Sequence, residues 1–324
     1  MPNAIVLRAH GDADALRLEP VTVGAPGPGE LRVRQTAIGV NFHDTYVRSG
    51  LYRTLALPGI PGIEAVGVVE AVGDGVGAFR AGDRVGYVTG AYGAYASERV
   101  LPADLAFPLP SFLDDLTAAS VLVRGLTVEM LTRTVHPVRG GDLVLVHAAA
   151  GGVGRLLCQR LADIGAVVIG TAGSAGKAAI AQAAGCRHVI LYREEDFVTR
   201  VRTITGGHGV AVAYDSVGRD TFDGSLACLA TRGHLVNFGQ ASGPVPPFEV
   251  SRLAAGSFSV TRPILFHYIS DPAERDALLT HLFEALARGV LSVPPAQVFP
   301  LGAAAEAHAA LESRAATGPI LLRP

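Results

Sequence analysis

The chain has 324 residues, 49% of them hydrophobic, with 27 basic against 29 acidic side chains and a net charge of −2. That length predicts two domains, each with apolar residues enough for its own core, and the scattered lysines and arginines exclude the basic footprint that nucleic acid or an anionic membrane surface requires. The amino terminus lacks a charged-then-apolar signal pattern and no uninterrupted apolar run spans a membrane. Cys158, Cys186 and Cys228 lie too far apart for a C-x-x-C metal site or a disulfide framework, so a reducing, cytoplasmic compartment is expected.

Residues 1 to about 120 read as β-rich. The clearest strands are 4–9, 30–40, 64–72 and 84–88, divided by the glycine- and proline-bearing turns 26–29, 58–62 and 73–82. Strands this short with such turns predict a barrel-like β domain. Over 113–134 the apolar period becomes helical. From Asp142 a regular alternation begins, with strands at 143–147, 167–171, 188–191, 210–214 and 233–238 and helices near 153–164, 174–184, 194–204 and 219–229. Ser174, Asp196 and Asp220 are expected helix starts. Five such steps predict an α/β domain with a doubly wound parallel sheet of Rossmann type, and 257–261 supplies a sixth strand. A helix at 272–288, a strand near Val298, a helix at 303–313 and the apolar stretch 320–322 are assigned back to the first domain. The expected division is therefore 1–123 with 264–324, and 124–263.

The most informative stretch is Leu143-Val-Leu-Val-His147-Ala-Ala-Ala-Gly151-Gly152-Val153-Gly154. A buried strand, a turn of small residues and a helix present helix-start N–H groups to a phosphate. The dinucleotide fingerprint G-x-G-x-x-G is met with Ala149, Gly151 and Gly154 in its three places, so the first glycine is alanine. An NAD-preferring site places a carboxylate at the end of the second strand. Here that segment runs Ile169-Gly-Thr-Ala-Gly173-Ser174-Ala-Gly-Lys177, small residues and then a lysine, which welcomes a 2′-phosphate through charge-assisted bonds. NADPH is the expected cofactor; the bland alternative for Lys177 is a solvated helix face.

Four segments are more specific: Asn41-Phe-His-Asp44-Thr-Tyr46-Val-Arg48-Ser-Gly50-Leu-Tyr52, Ala148 to Gly154, Tyr192-Arg-Glu-Glu-Asp196 and Tyr214-Asp-Ser-Val-Gly-Arg-Asp220. Together they resemble the zinc-free NADPH:quinone oxidoreductases, the zeta-crystallin-like branch of the medium-chain dehydrogenase/reductases. The similarity runs from the first strand to Glu312-Ser-Arg314. The resemblance implies a GroES-like barrel-type catalytic domain, a Rossmann domain, a homodimer and NADPH in the interdomain cleft. Carried over residue by residue, it puts Asn41, Asp44 and Tyr46 on the nicotinamide side and Gly152 and Val153 at the pyrophosphate. Gly173, Ser174, Lys177 and Tyr192 would surround the 2′-phosphate, Ser216, Phe238, Gly239 and Gln240 would lie at later strand ends, and Arg314 would approach from the other domain. Asp44 as a helix cap, Phe238 as core and Tyr192 as sheet-edge cover are the plain alternatives.

The zinc branch of the same superfamily carries Cys where Asn41 stands and His where Ile63 stands. Glu64 alone cannot build a tetrahedral N/S site, and no cysteine occurs before Cys158, so no metal is expected. Chemistry must then come from hydride position and from hydrogen bonds to the reduced acceptor. Asn41, Tyr46 and Tyr52 are the expected donors, uncharged at neutral pH. His43 stands where the resemblance implies an apolar residue, and is either a proton donor or a satisfied, partly buried side chain. Arg124, Arg262 and Phe266 are expected to border the acceptor. The leading expectation is reduction of a small-molecule quinone. Reduction of enones or alkenals, and an NADPH-binding module with little turnover, remain the alternatives.

Overall fold

The computed structural model describes residues 1–313 and 318–324. The chain divides into two compact units, Met1–Val123 with Val293–Pro324, and Arg124–Ser292.

The first unit opens with β1 (Asn3–Leu7) paired antiparallel to β2 (Leu16–Pro20). There follow β3 (Glu30–Val40), α1 (Phe42–Ser49), β4 (Glu64–Val72), β5 (Arg84–Val88), β6 (Glu98–Pro102), β7 (Ala106–Pro108) and the start of α2 (Asp115–Glu129). Strand β3 organises the sheet. One edge pairs with β4, while the other is shared between β6, along residues 30–34, and the last strand of the chain, at residues 38–40. Leu31, Val33, Gln35 and Ala37 alternate inward, as a period of two requires. Gln35 is tolerated in the core because its amide is satisfied: Nε2 donates to the Ala94 carbonyl at 3.0 Å and Oε1 accepts from the Tyr87 hydroxyl. Leu31, Val33, Ile38, Tyr87, Tyr95 and Leu101 form the core around it.

The second unit continues with β8 (Leu143–Val146), α3 (Gly152–Ile164), β9 (Val167–Ala172), α4 (Ala175–Ala183), β10 (His188–Leu191), α5 (Phe197–Ile204), β11 (Val210–Asp215), α6 (Phe222–Cys228), β12 (Leu229–Asn237), β13 (Ser259–Thr261), α7 (Leu265–Tyr268) and α8 (Pro272–Ala287). Its strands lie in the order β10-β9-β8-β11-β12-β13, every pairing parallel. The order reverses between β8 and β11, the switch point where open α/β sheets take ligands outside the carboxyl ends of their strands. The chain then returns to the first unit with β14 (Gln297–Pro300), α9 (Ala304–Glu312) and β15 (Ile320–Arg323). Here β15 pairs antiparallel with the end of β3, Ile320 opposite Val40.

Two expectations are corrected. Residues 264–292 fall in the second unit, not the first. Leu282 of α8 packs so closely on Gly125 that a Cβ there would overlap it, and Gln159 of α3 donates to Ser292 Oγ at 3.1 Å. Asp220 does not start α6, whose first residue is Phe222. Asp215 organises that entry instead, its Oδ1 accepting from the N–H groups of Val217 and Gly218 and from the Thr221 hydroxyl. Helix α2 ends at Glu129, and Met130–Val135 form a π-helical turn. Ser174 and Asp196 do cap their helices, accepting from Lys177 N–H at 3.4 Å and Thr199 N–H at 2.8 Å.

Candidate active site

In the second unit the turn after β8 has the geometry of an anion cradle. Ala148 stands at φ 50°, a left-handed conformation that lets its carbonyl accept from Gly151 N–H at 2.8 Å. A Cβ on Gly154 would overlap that same carbonyl oxygen, so helix α3 packs against the turn only with glycine there. Gly151 and Gly152 are exposed and Val153 is half-buried at the helix start, where N–H groups lack intrahelical partners. The buried Arg124 lies beside them, its Nε 3.1 Å from where a Gly152 Cβ would stand. Arg124, expected to border the acceptor, thus adds positive charge at the phosphate turn.

At the ends of β9 and β10 the structure brings Gly173, Ser174, Lys177 and Tyr192 together. The Tyr192 hydroxyl stands 2.7 Å from the position a Gly173 Cβ would take. Ser174 caps α4, and the Lys177 side chain is exposed one turn later. At the ends of β11 and β12 a Gly239 Cβ would lie 2.6 Å from the Ser216 carbonyl oxygen, and a Gly218 Cβ 3.0 Å from Gln240 Cα. Phe238 N–H donates to Asp215 carbonyl at 2.9 Å, and the Phe238 side chain is half-buried rather than core. Beneath them His147 is fully enclosed, bonded to Thr171 Oγ1 at 3.1 Å and Ser225 Oγ at 2.9 Å. Burial lowers its pKa, and Asp215 opposes that only in part.

In the first unit β3 delivers Asn41 to the start of α1. Asn41 N–H donates to Asp44 Oδ2 at 2.8 Å, so Asp44 does cap the helix, while Asn41 Nδ2 donates to the buried Glu64 Oε1 at 2.7 Å. Glu64 Oε2 accepts from Val123 N–H at 2.8 Å. Tyr46 and Tyr52 meet edge to face with centroids 5.1 Å apart, and the His43 ring lies 5.4 Å from Tyr52. His43 Nε2 bonds the Tyr92 hydroxyl at 3.1 Å, and Thr54 bonds that hydroxyl too. Burial pulls the His43 pKa down to about 4, leaving the imidazole neutral at pH 7. Tyr92 was not foreseen: its turn, Gly90-Ala-Tyr-Gly93, signals a loop, and the φ of 58° at Tyr92 marks a constrained backbone.

Asn41, Asp44, Tyr46 and Tyr52 therefore converge in one unit, and Gly152, Val153, Gly173, Ser174, Lys177, Tyr192, Ser216, Phe238, Gly239 and Gln240 gather at the strand ends of the other. Arg314 lies outside the described residues. Among the described residues no group of three or more His, Cys, Asp or Glu is placed to hold a metal ion.

Two family models match the chain, the alcohol dehydrogenase GroES-like domain over residues 27–111 and a zinc-binding dehydrogenase model over residues 184–322. Quinone oxidoreductase 1 of Escherichia coli K12 is 45% identical, with all of both chains covered. A 2-haloacrylate reductase of a Burkholderia species is 44% identical over 100% of this chain and 99% of its own. The crystal structure of Escherichia coli quinone oxidoreductase complexed with NADPH superposes with a TM-score of 0.96 at 45% identity, covering 99% of this chain and 100% of that one.

Proposed function

The chain belongs to the quinone oxidoreductase family of the medium-chain dehydrogenase/reductases, and on that premise we propose that it reduces quinones with NADPH by a route that needs no zinc. It is an oxidoreductase and NADPH is its cofactor. The residues fit that cofactor: a cradle closed to any Cβ at Gly154, with the helix-start N–H groups of the exposed Gly152 and the half-buried Val153 for the pyrophosphate. Gly173, Ser174, Lys177 and Tyr192 hold the 2′-phosphate, and Ser216, Phe238, Gly239 and Gln240 flank the cofactor. Arg314 completes the set. The residues do not fit zinc. Asn41 offers no thiolate and gives only one of its two amide N–H donors to Glu64, and Ile63 offers no lone pair.

When bound, NADPH supplies the hydride. The protein holds a flat acceptor and stabilises the negative charge that builds on its oxygen. Asn41, Tyr46 and Tyr52 supply neutral hydrogen-bond donors for that oxygen, while Asp44 secures the turn that carries Asn41. One hydride and one proton from water convert the quinone to its hydroquinone. His43, neutral and aromatic, is wall rather than acid. The observation that carries this reading is that Tyr46, Tyr52 and the neutral His43 pack ring to ring on and beside α1, an aromatic group that suits a planar, electron-poor ring.

Stopped-flow mixing with NADPH and 1,4-benzoquinone tests it. Rapid loss of nicotinamide absorbance is expected, and no loss with any quinone refutes the reading. A second reading, reduction of conjugated C=C bonds, is favoured by the 2-haloacrylate reductase relative. Comparing turnover on 1,4-benzoquinone, 9,10-phenanthrenequinone, an alkenal and a 2-haloacrylate separates the two. A homodimer in the cytoplasm, with no nucleic-acid or membrane partner, accords with the family and with the scattered charge. Among the described residues no helix is long and apolar enough to cross a membrane.

A further inference from the structure

Asp44, Tyr95, His308, Arg48 and Glu312 form one unbroken hydrogen-bonded chain in the first unit, and only Asp44 has a place in the reading above. Tyr95 Oη donates to Asp44 Oδ2 at 3.0 Å and meets His308 Nε2 at 2.9 Å. His308 Nδ1 lies 3.3 Å from Arg48 Nη1, and Glu312 receives Arg48 Nη1 and Nη2 at 3.0 and 2.8 Å. Arg48 Nε donates to the Gly11 carbonyl at 3.2 Å. Asp44, Tyr95 and His308 are wholly buried and Arg48 nearly so.

Donor and acceptor chemistry gives this chain a single direction. A guanidinium has no lone pair to offer, so His308 Nδ1 must accept from Arg48. The imidazole proton then sits on Nε2 and is donated to Tyr95 Oη, which leaves the tyrosine proton for Asp44. Burial and the Arg48 charge hold His308 neutral, and burial keeps the Tyr95 phenol protonated. A chain that ends in a guanidinium cannot pass protons inward, because arginine keeps its proton at any working pH. It is a clamp. Asp44 and Arg48 both belong to α1, so the chain leaves its first turn through Tyr95, crosses His308 and Glu312 of α9, and returns to its last turn at Arg48, holding α1 at both ends.

We propose that Arg48, His308 and Tyr95 are positioning residues for hydride transfer, a one-way hydrogen-bond chain that fixes Asp44 and, through it, the turn carrying Asn41 and Tyr46. This rests on the proposed function, which makes Asn41 and Tyr46 the groups at the reacting end. Cofactor affinity comes chiefly from the phosphates, so loosening the clamp lowers kcat more than it weakens NADPH.

Two substitutions separate clamp from packing. In His308→Gln the amide oxygen accepts from Arg48 and the amide N–H donates to Tyr95; His308→Leu does neither. Amide hydrogen exchange at residues 41–45 should rise about tenfold in His308→Leu and stay near wild type in His308→Gln. With 1,4-benzoquinone, kcat should fall about tenfold in the leucine variant, with NADPH Kd within about threefold, and recover in the glutamine variant. Equal behaviour of the two variants, or wild-type exchange and kcat in His308→Leu, overturns the proposal. Should the leucine variant not fold, Tyr95→Phe removes the donor to Asp44 itself, with less lost packing, and must raise exchange likewise. A wild-type protein that does not oxidise NADPH with quinones refutes the proposed function, while the exchange comparison still decides the clamp.

Discussion

Gly39 and Glu64 compete for one volume. A Cβ on Gly39 would stand 2.5 Å from Glu64 Cδ, so only hydrogen at residue 39 leaves the carboxylate room to receive the Asn41 amide. Gly39→Ala should therefore destabilise the protein by about 1–3 kcal/mol through overpacking and lower quinone turnover as Asn41 loses its anchor. Urea unfolding midpoints at constant m-value report the first effect and steady-state kinetics the second. An alanine variant as stable and active as wild type would show that the carboxylate can move aside.

In the proposed site Lys177 carries the preference for NADPH over NADH. Its loss removes a charge-assisted bond worth about 1.5–3 kcal/mol to the 2′-phosphate, so Lys177→Ala should raise the NADPH Kd about 10- to 100-fold. NADH, lacking that phosphate, should bind within about twofold of wild type. Fluorescence titration with both nucleotides measures this, and equal weakening of the two removes the assignment.

Gly154 meets backbone, not a movable side chain. Because a Cβ there would overlap the Ala148 carbonyl oxygen, Gly154→Ala must push α3 away from its turn. NADPH affinity should drop at least about tenfold even in protein that melts as a single folded species, since the helix-start N–H groups lose their aim. Isothermal titration beside a thermal melt checks both halves.

Acid should destabilise the protein through its buried histidines. The pKa of His43 and of His234 falls to about 4 and that of His308 to about 3, each chiefly through burial. In the unfolded chain histidine titrates near ~6.5. Between those values the unfolded state binds more protons, so stability present above pH ~6.5 is lost as pH falls toward ~4. Thermal midpoints followed from pH 7 to 4.5 should decline. His43→Phe should flatten part of that decline, and the Tyr92 hydroxyl keeps Thr54 as its partner. At pH 7, where His43 is already neutral, turnover should stay within about threefold. A decline with the same slope in both proteins would take His43 out of it.

Legibility in the sequence followed how local each signal was. Strands β3, β4 and β5 fell where alternation and turn residues placed them, and the parallel sheet was readable because every step repeats one strand and one helix. The glycine turn was legible for the same reason: Gly151 and Gly154 answer to a carbonyl only a few residues away. β2, β6 and β7 were not foreseen, being short strands beside stronger turn signals. Glu64 as the acceptor for Asn41, Tyr92 as the partner of His43 and His308 as the partner of Arg48 were likewise hidden. Those pairs are 23, 49 and 260 residues apart, and only the register of the sheet and the return of α9 bring them together. The place of α8 was missed because an apolar helix face shows that it packs, not against what.

The pairing of β15 with the end of β3 also sets an order of events on the ribosome. The second unit has its last strand by Thr261 and its last residue at Ser292. One edge of β3 near Val40, next to Asn41, stays uncovered until Ile320 emerges. A nascent chain of this kind completes the parallel sheet of its second unit first and seals the end of β3 beside Asn41 last. For that interval the exposed strand edge is the part most open to mispairing, and to chaperones that shield it.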